Sequence, residues 1–93
     1  MAKSKHQAYL VEFCGSNAKM SLPFEIGRRE YERQFYFLQR QTVLALRSGV
    51  ISTHGGLRTE HKDCWKNIDT FTVGDATTIL TKITYKEQEG DHA

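Results

Sequence analysis

The chain has 93 residues, of which 39% are hydrophobic, 11% aromatic and 26% charged. A chain this short folds around one core, and its composition excludes a disordered tail, a collagen-like fibre and a coiled-coil rod. Thirteen Lys and Arg against eleven Asp and Glu leave a net charge of +2, too near neutral for a histone-like charge reservoir.

A single domain over residues 1–93 is therefore expected, with frayed ends at 1–6 and 88–93. The basic start at residues 1–7 leads into a short apolar run, 8–11, which Glu12 interrupts before it reaches the length of a secretion signal. No stretch approaches the ~18 apolar residues of a membrane span. Cys14 and Cys64 are the only cysteines, far below the density of a disulfide-stapled secreted domain, and both are expected as thiols. The expectation is a cytoplasmic protein with no membrane partner.

The first element is a strand at residues 7–14. It puts Tyr9, Val11 and Phe13 on one side and Ala8, Leu10, Glu12 and Cys14 on the other. Gly15, Ser16 and Asn17 form a turn. Met20, Leu22, Phe24 and Ile26 then alternate with Ser21, Pro23 and Glu25, completing a hairpin. Pro23 cannot donate to a ladder, so this strand belongs at a sheet edge.

After Gly27 the period changes from two to 3.6 residues. Residues 28–47 read as one helix about 30 Å long. Tyr31, Phe35, Leu38, Thr42, Ala45 and Leu46 fall on one stripe, assigned to the core. Arg47, Ser48 and Gly49 carry the basic last turn and the glycine that end a helix.

Residues 51–67 lack a clear period. Ser52 to Gly56 reads as a loop, and Thr59 to Lys66 as one short helix or an irregular strand. Two Thr, Ile and Val-rich strands follow at 68–73 and 77–87, joined by a three-residue loop, Gly74, Asp75 and Ala76. Such a loop places Val73 opposite Thr77 and Phe71 opposite Ile79. Ile79, Thr81, Ile83 and Tyr85 then face the core, with Leu80, Lys82, Thr84 and Lys86 outward. Tyr9, Phe13, Phe24 and Phe71 are likewise assigned to the core, and Trp65 to a core anchor against the helix or second hairpin. The expected fold is α+β, in the order ββα-ββ: an antiparallel sheet of about four strands with one amphipathic helix packed on it.

The other side of that helix carries charge of one sign. Arg29, Arg33, Arg40 and Arg47 fall within roughly 40° when wound at 3.6 residues per turn. Tyr36 lies beside them, and Phe37 and Leu44 flank them. Solvated helix faces usually mix Glu with Lys, whereas Arg29 and Arg33 repel at i,i+4. Arginine forks bind carboxylate or phosphate and stack on aromatic planes, so the row has the composition of a binding surface. Residues 1–49 hold eight basic against four acidic groups, and residues 50–93 five against seven, a dipolar arrangement that favours oriented encounter. The opposing reading is that Glu30 and Glu32 neutralise part of the row and that residues 51–67 cover Phe37 and Leu44.

Residues 54–65 hold the densest reactive chemistry. His54, His61 and Cys64, with Cys14 as a fourth, offer four metal ligands, but Cys14 stands alone where a structural zinc site brings a second close pair. Cys64 with His61 offers nucleophilic chemistry. His54, Glu60 and His61 with Arg58 offer general acid–base cleavage of RNA. No nucleophile motif or phosphate loop accompanies them, so no catalytic residue, metal or cofactor is expected.

The sequence reads as a small non-catalytic binding or regulatory protein that sets Arg29, Arg33, Tyr36, Phe37, Arg40, Leu44 and Arg47 against an acidic protein partner. By analogy of size and composition it is a bacterial or phage accessory protein or inhibitor. The alternatives are a nucleic-acid-binding module using the same arginines on phosphates, and a small ribonuclease using His54, Glu60 and His61. A further one is a homodimer built on the helix face or a strand edge, with Glu87 and Glu89 of the neighbour facing the row.

Overall fold

A computed structural model of the chain describes residues 6–15 and 23–86. The described elements are β1 (Gln7–Gly15), β2 (Phe24–Ile26), α1 (Arg28–Arg47), β3 (Ser52–Glu60), β4 (Cys64–Val73) and β5 (Ala76–Tyr85). They form one five-stranded antiparallel sheet in the order β2-β1-β5-β4-β3, with α1 on one face. The fold is α+β as expected, with one strand more than the sequence indicated.

This topology explains the long helix. The chain leaves β2 at one edge of the sheet and must enter β3 at the other. Five strands span about 19 Å, and a 20-residue helix reaches about 30 Å, enough to cross the sheet diagonally. Tyr31 in the second turn lies against Tyr9 of β1, with ring centroids 4.8 Å apart. Eleven residues later the Thr42 carbonyl accepts a hydrogen bond of 3.0 Å from the Ser52 hydroxyl, where β3 begins. Gly49 stops the helix by adopting φ +84°, and the Val50 N–H turns back onto the Ala45 carbonyl.

Tyr9, Val11, Tyr31, Phe71 and Leu80 make the core, with Ile26, Phe35 and Leu38 packed against it. Of the predicted helix stripe, Tyr31, Thr42 and Ala45 are buried and Phe35 and Leu38 half-buried. Leu46 departs from the prediction: it lies about 100° further round the helix than Ala45 and is 58% exposed. Phe13 and Phe24 also depart from it, for they touch each other at the β1–β2 edge and stay exposed. The cause is the diagonal path of α1. It covers Tyr9 and moves off towards β3, leaving Phe13, about 13 Å further along β1, beyond its reach.

The largest correction concerns β5. Its hairpin with β4 has a two-residue loop, Gly74-Asp75, with Val73 opposite Ala76 and Phe71 opposite Thr78. Gly74, at φ +63°, supplies the positive φ that the first position of a II′-type turn requires. One residue fewer in the loop exchanges the two faces of the strand. Leu80 is therefore fully buried under the helix, whereas Ile79, Thr81, Ile83 and Tyr85 lie on the face that α1 does not cover.

Residues 51–67 hold the fifth strand. Ser52 to Glu60, whose first five residues read as a loop and whose end as the start of a short helix or irregular strand, pair continuously with β4 from Ser52↔Val73 to Glu60↔Trp65. β2 lies at an edge, as Pro23 requires. The turn at Ser16 and Asn17, the strand positions Met20 and Leu22, and the frayed ends fall outside the described residues, apart from His6.

Candidate partner-binding face

The arginine row sits where the sequence placed it. Arg29, Arg33, Arg40 and Arg47 are all exposed on the side of α1 away from the sheet, in a row about 27 Å long. Tyr36 is 70% exposed, Phe37 56% and Leu44 46%. Val43, which the sequence reading missed, is also exposed and broadens the apolar part. With residues 51–67 built into the sheet on the other side of the helix, no described element covers this face.

Charge pairing along the row is partial. Arg33 lies 3.2 Å from Glu30, and Arg28 lies 3.3 Å from Glu32, both in exposed positions worth a few tenths of a kcal/mol. Arg29, Arg40 and Arg47 make no ion pair with any described residue. The helix start is also unfavourable locally. Gly27 occupies the N-cap with no side-chain hydrogen bond to the first turn, and two arginines follow where the helix dipole disfavours cations.

On the sheet side, α1 and the strands enclose a shallow cleft of about 300 Å³ between Tyr31, Phe35 and Tyr36 and the strand residues Asn67, Asp69 and Lys82. Next to it, His54 Nε2 and Asp69 Oδ1 lie 3.0 Å apart. The His54 ring stacks on Phe71 at 4.1 Å, and Phe35 meets both rings edge-on. These contacts tie β3, β4 and α1 together. Sequence reasoning missed the pair because its members are fifteen residues apart and become neighbours only through the β3–β4 register. Burial, then electrostatic interaction with Asp69 and Tyr9, pushes the Tyr31 phenol up to about 12.

The hairpin separates His54 from the rest of the reactive cluster at 54–65 and keeps His61 and Cys64 paired across the turn, where the His61 N–H donates to the Cys64 carbonyl. His54 and Glu60 lie six residues apart on one strand, about 20 Å, and His61 sits at the hairpin turn. Glu60 is paired with Lys86. Cys14 and Cys64, both free, stand opposite Thr77 and Tyr85 of β5, about 27 Å apart along that strand. Neither the acid–base scheme nor a four-ligand site is assembled among the described residues. Trp65 is only half-buried and lies beyond the helix, its ring 4.3 Å from the Arg58 guanidinium and 5.5 Å from the Lys86 ammonium. It anchors the hairpin end of the sheet and not the core under α1.

No helix among the described residues is long and apolar enough to cross a membrane. No protein-family model, curated protein or solved structure matches this chain.

Proposed function

We propose that this is a non-catalytic binding protein that docks the outer face of α1 on an acidic surface of a protein partner. One observation carries the reading: a row of arginines, three without an ion pair among the described residues, shares an uncovered helix face with Tyr36, Phe37 and Leu44. Arginine and aromatic side chains are the residue types that dominate interface energetics. The uncapped, doubly basic helix start supports it too, because local rules are most often broken where a surface is kept for a partner. Such a protein acts by occupying its partner's surface, as a regulator or inhibitor does.

The test is affinity capture with wild-type protein and an Arg33→Glu/Arg40→Glu variant, each with and without nuclease, the variant's fold being checked by circular dichroism. A partner protein that survives nuclease and binds the variant at least about tenfold more weakly is expected. Material that nuclease removes, with an affinity falling by about one log unit per log unit of salt for each phosphate contacted, would replace the protein partner with nucleic acid. An equal catch from both proteins would overturn the reading.

A further inference from the structure

The two edges of the sheet are unlike. One ends in β2, only three residues long and preceded by Pro23, a short and blunted edge. The other ends in β3, nine residues long, in unbroken register with β4 and containing no proline, lysine or bulge. Among the described residues no strand pairs with its far side.

The backbone groups on that side can be identified. The His61 N–H donates to the Cys64 carbonyl, and the Gly74 N–H to the Ile51 carbonyl. Both place odd-numbered residues in the hydrogen-bonded pairs with β4. The N–H and C=O groups of Ser52, His54, Gly56, Arg58 and Glu60 therefore point away from the sheet. This is the donor and acceptor pattern that an added strand completes.

We infer that β3 pairs antiparallel with β3 of a second copy of this chain, about a two-fold axis at Gly56, to form a continuous ten-stranded sheet. The strand is self-complementary in that register. Overlap is complete, from Ser52 opposite Glu60 at one end to Glu60 opposite Ser52 at the other. The outward-pointing residues pair only with one another, as the hydrogen bonds demand. On the uncovered face, Leu57, 62% exposed, lies over Gly55 of the second copy. Gly55 has no atom within 4 Å of the place where a side chain would begin, so the leucine has room. Thr53 lies beside Thr59 of the second copy, a favourable cross-strand pair. On the helix face, Arg58 lies opposite His54 of the second copy, whose imidazole already holds the Asp69 carboxylate. Glu60 is diagonal to that same histidine.

The two-fold axis runs perpendicular to the sheet, so both helices lie on one face with their arginine rows turned the same way. The inference does not depend on what those rows bind. One strand pair without a further layer is a small interface, so the dimer is expected to be reversible in the micromolar range.

Sedimentation velocity over a concentration series tests this with the whole chain. Wild type is expected to pass from monomer to dimer as concentration rises. Arg58→Pro removes an outward N–H and leaves the β4 ladder intact. Gly55→Glu sets a charge against Leu57 of the second copy and fits the open space of the monomer. Each is expected to stay monomeric with an unchanged circular dichroism spectrum. A wild type that remains monomeric at several hundred micromolar would overturn the inference. So would a dimer that persists in Gly55→Glu, or one that only Arg33→Glu/Arg40→Glu dissolves, since that places self-association on the helix.

Discussion

Leu80→Ala is expected to cost about 2–5 kcal/mol of stability, the range for a leucine removed from a well-packed core. Leu80 is fully buried, opposite Val11 on β1 and Asp69 on β4. It lies under the helix with Phe71 and Tyr9 as core neighbours. Ile79→Ala removes a side chain of similar size one residue away, on the face that α1 leaves open. Its expected cost is smaller, about 1–2 kcal/mol, because the side chain is only half-buried there and the site can relax or admit water. Urea unfolding of the two variants checks the order. A larger loss for Ile79→Ala would mean that the three-residue loop and its inverted strand are correct.

The second large effect is alkaline. The Tyr31 phenol is pushed from 10 up to about 12, first by burial and then by electrostatic interaction with Asp69 and Tyr9. A raised phenol pKa means that the fold favours the neutral ring. The unfolded chain gives up its proton near pH 10 and the folded one only near 12, so the stabilisation is complete below pH 10 and is lost as pH rises to 12. Because the phenol lines an open cleft and is partly screened by solvent, the differential ionisation amounts to on the order of 1 kcal/mol. Urea midpoints measured from pH 9 to 12.5 should fall more steeply for wild type than for Tyr31→Phe. Parallel curves would contradict it.

The same residues show what the sequence could reveal. The helix was legible to the residue, because twenty positions repeat one period and Gly49 ends it with a φ that other residues resist. The two faces of β5 were not, since Ile79, Leu80 and Ile83 put apolar groups on both. Only the turn decides between them, and Gly74-Asp75 and Gly74-Asp75-Ala76 are equally plausible loops by composition. β3 was hidden for a different reason. Thr53 and Thr59 favour a strand, but Gly55 and Gly56 between them do not and no apolar alternation marks a face, so the strand exists because β4 offers it a ladder at an edge where polar residues cost little.

At the candidate site the position of each arginine followed from an angle of about 100° per residue. Whether the row was open did not follow, because it hung on where residues 51–67 went. Their inclusion in the sheet leaves Tyr36, Phe37 and Leu44 exposed beside the arginines. That same pairing brought His54 to Asp69 and carried Glu60 away from His54, so a cluster dense in sequence became dispersed along a strand.

Hydroxyl-radical footprinting of the captured complex tests the central claim most directly, because it reads which side chains the partner covers. Docking through α1 predicts that labelling of Tyr36, Phe37 and Leu44 drops on complex formation, while Leu57 and Trp65 on the hairpin keep their free-state labelling. Unchanged labelling of Tyr36 and Phe37, with protection elsewhere, would contradict it and return the arginine row to solvent.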